Sequence, residues 1–210
     1  MGGFGRLQKI SWICNTLSQG AAAFFLQSFV FLEKHPLYEC RTYNKEQKQF
    51  HWEKCDRSDF CDAKNKIVWR VNWRDDESIH NFIEQFNFYC QPDFLIGLIG
   101  AIFLLGIVIG CSTLTRLGDV YGRKPIYLLG MIMNLGFTFC TLGTTNILFM
   151  YLLMFILGLS VTARYYVGYT YNLEMQPSSH HVLVSTSMFL FESCVSVYVI
   201  IYFWGIGDRW

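Results

Sequence analysis

Thr115-Arg116-Leu117-Gly118-Asp119-Val120-Tyr121-Gly122-Arg123-Lys124-Pro125 separates two long apolar runs, residues 94–114 and 126–142. Both approach the length of about 20 apolar residues that crosses a bilayer. Between them, three cations (Arg116, Arg123, Lys124) and one acid (Asp119) fall within nine residues. A charged stretch this short between two such runs reads as a tight hairpin joining two membrane helices. An excess of Lys and Arg near span ends sets orientation, so this turn is expected on the cytoplasm-equivalent side.

Outward from the turn, Gly106 and Gly110 form a Gly-x-x-x-Gly face on the preceding span, which lets another helix backbone come close. Pro125 suits the first position of the following helix, where its missing N–H costs nothing. Asn134, Gly136 and Thr138 give that helix a small polar stripe. A fourth span is expected over residues 147–171, with Gly158, Ser160, Ala163 and Gly168 for close packing. A near-side loop covers residues 174–181, and a fifth span residues 182–204. The first span, residues 12–32, is less apolar: Asn15, Thr16, Ser18, Gln19, Gln27 and Ser28 interrupt it. Such groups either hydrogen-bond between helices or line a cavity.

Of the 210 residues, 52% are hydrophobic and 18% aromatic, which excludes a disordered chain and disfavours an ordinary soluble domain. The formal net charge of +1 gives no global pull toward nucleic acid. Residues 34–92 hold ten Lys/Arg and ten Asp/Glu; residues 94–210 hold five and four. The expected organisation is therefore residues 1–32 as an N-terminal segment and first helix, 33–92 as an extramembrane loop, and 93–210 as helices two to five. The start is basic, but no small-residue cleavage site follows the first apolar run, so a removable signal peptide is not expected. Cys40, Cys55, Cys61 and Cys90 lie in the polar segment and allow three pairings. Two disulfides are the preferred reading. Free thiols are the next option, and a zinc site fits least, because there is no Cys-x-x-Cys and His51 and His80 miss the usual ligand spacings. No nucleophile–base constellation, phosphate loop or metal cluster stands out, so no enzyme, cofactor or metal is expected.

Arg164 and Glu192 are the charged residues well inside the fourth and fifth spans. Intramembrane charges are costly and face an interior or a cavity. Spans joined by a short loop are antiparallel neighbours, and at 1.5 Å per residue the two charges lie at depths an Arg side chain can bridge. They read first as an ion pair between helices, and second as a substrate or coupling-ion site.

The hairpin resembles the loop between helices two and three of the major facilitator superfamily, Gly-x-x-x-Asp-x-x-Gly-Arg-Lys/Arg. Asp119, Gly122, Arg123 and Lys124 match it; Thr115 stands in place of the first Gly. The start, Gly2-Gly3-Phe4-Gly5-Arg6-Leu7-Gln8, is similar to the opening of the organic cation and anion transporter branch. So are the long cysteine-bearing loop, Gln85-Phe86-Asn87-Phe88-Tyr89-Cys90 before helix two, Gly168-Tyr169-Thr170 followed by Glu174, and Gly207-Asp208-Arg209-Trp210. The chain departs from that pattern at Thr115, at Met154, and at His180 and His181, where the family usually has Gly, Arg and Arg.

The resemblance implies an all-α, multi-pass membrane protein. Its five transmembrane helices would form a major-facilitator-type N-terminal bundle with a long cysteine-containing loop between helices 1 and 2. In that family two six-helix halves hold the substrate between them, and the 115–125 loop latches the halves together on the cytoplasmic side. Five helices offer one wall. The expectation is therefore a non-transporting structural or accessory subunit, held by other membrane chains in the lipid bilayer. The alternative is the N-terminal part of a working carrier for small organic ions. In that case Gln19, Gln27, Arg164 and Glu192 are the candidate cavity groups, with Tyr165 and Tyr166 available to a cation. Family resemblance points to the plasma membrane; an organelle membrane such as the mitochondrial inner membrane remains open.

Overall fold

The computed structural model describes residues 5–44, 49–61, 67–75 and 78–205. The motif residues Gly2-Gly3-Phe4 and Gly207-Asp208-Arg209-Trp210 lie outside the described residues. In chain order the elements are α1 (Arg6–Leu32), β1 (Tyr38–Asn44), β2 (Gln49–Cys55), α2 (Arg57–Cys61), β3 (Trp69–Val71), α3 (Phe82–Gln85), α4 (Asp93–Tyr121), α5 (Arg123–Gly143), α6 (Ile147–Met175) and α7 (His181–Gly205). Helices α4, α5, α6 and the segment Ser178–Gly205 are long and apolar enough to cross a membrane. The first expected span is also a helix, α1, 27 residues long, but it is too polar to join those four. The chain divides into two compact units: Met1–Ser28 with Gly97–Val199, and Phe29–Ile96 with Ile200–Trp210.

The first unit is a helical bundle organised on α6. Half of the apolar window of α6 is buried, against 11–28% for the other three candidate spans. Met150, Leu153, Met154, Leu157 and Val161 of α6 form its core. Met154, where the family usually has Arg, is wholly enclosed, so this position is apolar packing. Small residues set the helix spacing. A Cβ on Gly106 of α4 would lie 2.3 Å from the Phe155 carbonyl oxygen, and one on Gly158 of α6 would lie 2.2 Å from the Phe103 carbonyl oxygen. The Gly-x-x-x-Gly face is therefore the α4–α6 contact, and Thr162 Oγ1 donates across it to the Ile107 carbonyl at 3.2 Å. Gly130 of α5 admits Ala163 of α6 in the same way.

The hairpin is tighter than the sequence suggested. Helix α4 continues to Tyr121 and α5 begins at Arg123, leaving Gly122 as the joint, with φ +92°. That value lies in the region which L side chains rarely adopt, so glycine is needed here. The near-side loop also shrinks. Helix α6 runs to Met175, Pro177 breaks it, and a 3-10 turn at Ser178–His180 leads into α7.

The second unit holds a feature that the sequence left unassigned, a three-stranded antiparallel sheet in the order β2-β1-β3. Alternation along β1 sends Tyr38 and Cys40 to one face, where they pack with Phe60, Trp69 and Tyr89. Phe60 stacks on Trp69 at 4.5 Å, and Tyr89 meets Trp69 edge-on at 5.2 Å. Two disulfides staple this small core: Cys40–Cys55 joins β1 to β2, and Cys61–Cys90 joins α2 to the turn before α4. A sheet this small needs such links, since so few residues bury little apolar area.

Candidate functional site

The charged groups of the bundle interior collect around one irregular turn. Helix α6 widens into a π-turn over Ala163–Val167, which carries Arg164, Tyr165 and Tyr166. Such turns are uncommon and occur often at functional sites. Gly130 of α5 comes close to Ala163 and Arg164, and Gly168 meets the Tyr127 ring, so α5 holds the irregular turn from one side.

The guanidinium of Arg164 donates to Asn134 Oδ1 of α5 at 2.7 Å and to the Ser18 carbonyl of α1 at 3.1 Å. Asn134 in turn donates to Ser160 Oγ at 3.3 Å. Gln19, buried on α1, donates to the Tyr165 carbonyl at 3.1 Å. Three helices are thereby tied through one cation. Arg164 Nε is enclosed and makes no hydrogen bond.

The expected direct pairing of Arg164 with Glu192 gives way to a different arrangement. Glu192 of α7 accepts from the Tyr165 hydroxyl at 2.5 Å. Neighbouring positions leave a helix on different faces, and here Arg164 turns to α1 and α5 while Tyr165 turns to α7. A second hydroxyl contact, Tyr169 to Ser185 at 2.7 Å, runs beside it. Glu192 is half-buried and Tyr166 is exposed, its ring edge-on to Tyr165 with centroids 5.3 Å apart. Of the candidate cavity groups, Gln19, Arg164 and Glu192 meet around this turn. Gln27 is exposed on α1, eight residues further along, and is not brought to them.

At the Gly122 turn, Arg123 lies between two acids, 3.2 Å from Asp119 and 3.1 Å from Glu174 of α6. The motif cation thus links both sides of its own turn to the end of the central helix. Arg116 and Lys124 are exposed. His180 bonds with Ser179 Oγ, and His181 Nε2 with the Gln176 carbonyl; both serve the α6–α7 turn. An apolar groove of about 530 Å³ runs between α1 and α7, lined by Trp12, Ile13, Leu17, Leu183, Leu190 and Phe191 among others. None of its lining residues is charged.

Reasoning from sequence missed Asn134 as a partner, although an Asn in an apolar span was a usable signal. It also missed Arg57, which donates to Asp93 and to the Tyr89 and Gln91 carbonyls. Among the described residues, no cluster of three or more His, Cys, Asp or Glu could hold a metal ion.

Comparison with known proteins gives the family. A family model described as "Sugar (and other) transporter" matches residues 13–203. Solute carrier family 22 member 4 of Mus musculus is 26% identical over 116 residues, covering 54% of this chain and 21% of its own length. Organic cation/carnitine transporter 2 of Homo sapiens is 23% identical over 111 residues, covering 53% and 20%. An organic cation transporter-like protein of Drosophila melanogaster is 21% identical over 237 aligned residues, covering all of this chain and 42% of its own length. The chain thus spans less than half the length of these relatives.

Proposed function

We propose that this chain, which belongs to the sugar (and other) transporter family and within it to the organic cation transporter branch of the major facilitator superfamily, supplies one wall of a passage for small organic cations. The observation carrying this reading is the Tyr165–Glu192 pair. A half-buried carboxylate beside tyrosine rings offers an organic cation both a countercharge and a π face. Further helices, from the same polypeptide or another, would enclose the opposite side, because cation-binding groups left against lipid are costly. In this reading the 115–125 turn faces the cytoplasm, following the excess of cations there.

The test is binding of a radiolabelled quaternary ammonium probe to the purified chain in lipid nanodiscs, by scintillation proximity. Saturable binding that falls at least tenfold in Glu192→Gln, and less in Tyr165→Phe, is expected. No saturable binding in the parent chain, or unchanged binding in Glu192→Gln, would sink the proposal.

A second reading is a non-transporting structural subunit within a larger membrane complex. The engagement of Arg164 favours it: this cation is spent on fastening α1, α5 and α6 together. It predicts stable co-purification with other membrane chains and no probe binding.

A further inference from the structure

The second unit contains a network that the transporter reading does not use. Arg57, at the start of α2, donates from Nε to the Tyr89 carbonyl at 3.0 Å, and from its terminal nitrogens to the Gln91 carbonyl and to Asp93 Oδ1. One of those nitrogens lies 2.8 Å from His35 Nε2. His35 sits in the link between α1 and β1; its Nδ1 is 3.2 Å from the Tyr38 hydroxyl and its Nε2 is 3.3 Å from Asp93 Oδ1. The network therefore clasps the exit of α1, the start of α2 and the entry of α4.

A guanidinium only donates, so its short contact with His35 Nε2 requires a lone pair there. The neutral ring supplies one, with its proton on Nδ1 toward Tyr38. A protonated ring has none and sets a second cation against Arg57.

We propose that His35 makes this junction an acid-released clasp, closed around Arg57 while the imidazole is neutral and loosened when it takes up a proton. The groups facing His35 decide the sign. Burial first, and then the charge of Arg57, hold its pKa below the usual histidine value of 6.5; the hydrogen bond that a protonated Nε2 donates to Asp93, and the charge of Asp93, oppose them. Asp93 is largely exposed, so water screens its pull. Tyr38 stays neutral, its hydroxyl pushed up to about 12 chiefly by burial. Tyr89, which gives Arg57 its carbonyl, has a phenol raised by burial and then by Glu84, and it too stays neutral. A folded-state pKa below the unfolded one means that opening takes up a proton. Stability is full above pH 6.5 and is lost as the pH falls toward the folded value. Between pH 7.5 and 5.5 the opening equilibrium should rise, by up to about 10-fold, the limit reached if the closed clasp binds no proton.

The test is hydrogen exchange on the full chain in nanodiscs at pH 7.5 and 5.5, corrected for intrinsic rates. It reads the amides of Asn87, Gln91 and Leu95, which are bonded to carbonyls in this junction. The parent chain should show this rise. His35→Gln, which keeps an acceptor but does not titrate, should show none, and His51→Gln and His80→Gln should keep it. A flat response in the parent chain, or a preserved one in His35→Gln, overturns the proposal. Should His35→Gln fail to fold, the His35 ring resonance of the parent chain decides. A titration midpoint below 6.5 supports the clasp, and one at or above 6.5 refutes it.

Discussion

Replacing Gly158 with Ala tests whether the backbone contact of α4 with α6 sets the bundle. The new Cβ would lie 2.2 Å from the Phe103 carbonyl oxygen, 3.0 Å from Gly106 Cα and 3.0 Å from the Ile107 nitrogen. All three are backbone atoms, so no side chain can swing away. Ordinary contact begins at 3.4 Å, and 3.4 minus 2.2 requires the helices to part by about 1.2 Å. A gap of this size forfeits about half or more of the dispersion energy of the neighbouring contacts. It also stretches the Thr162 bond to Ile107, which is 3.2 Å long. Overpacking of this kind costs about 1–3 kcal/mol. Alanine itself favours a helix by up to ~1 kcal/mol, and that gain must be removed from the comparison. Gly136→Ala in α5 provides the control, because a Cβ there meets nothing within 4 Å. Thermal unfolding of both variants in one detergent should place Gly158→Ala below Gly136→Ala by those 1–3 kcal/mol. Equal midpoints would refute the claim that this glycine contact holds α4 on α6.

Arg164→Met should lower the unfolding midpoint through loss of about 1–3 kcal/mol, because Asn134 Oδ1 and the Ser18 carbonyl lose a charged donor. Arg164→Lys should recover only part of this, since an ammonium cannot span two acceptors as a guanidinium fork does; full recovery in the same melt would contradict the arrangement. Paired Cys61→Ser and Cys90→Ser should open the second unit. Removing a link across 29 residues costs about 3–4 kcal/mol on chain-entropy grounds. Tryptic cleavage after Arg57 or Arg70 should then quicken by two to three orders of magnitude, and rates within twofold of the parent would count against that link.

Much of the bundle was legible because a bilayer imposes simple demands on sequence. Apolar length marks a helix, and charge at its end marks a turn, so the five helices emerge from composition alone. The ends were harder. Residues 115–121 carry Arg116 and Asp119 and read as a turn, yet they continue α4. Polar residues are as compatible with a solvated last helical turn as with a loop, and only the φ of Gly122 fixes the joint. The sheet was less legible still. Its strands are short, and β1 shows its alternation mainly through Tyr38 and Cys40, which are buried by pairing with distant segments. The four cysteines announced a stapled unit, but their pairing depends on which strands lie side by side.

The candidate site shows why charges cannot be paired from helix depth alone. Depth along the axis made Arg164 and Glu192 plausible partners. Which face each side chain leaves from is set by local helix geometry, and α6 is irregular just there. The π-turn separates two adjacent residues into two tasks. Arg164 goes inward to a strut of neutral acceptors, and Tyr165 goes to the carboxylate on α7. A buried cation can be held by carbonyl and amide oxygens without an acid, and here both terminal nitrogens of Arg164 are used while Nε is not. That leaves Glu192 with a neutral partner, the Tyr165 hydroxyl. A carboxylate paired with arginine has its charge offset by a full cation, whereas a phenol offers it only a hydrogen bond. The divided arrangement thus leaves the carboxylate that the proposed passage needs, where a direct ion pair with Arg164 would have occupied it.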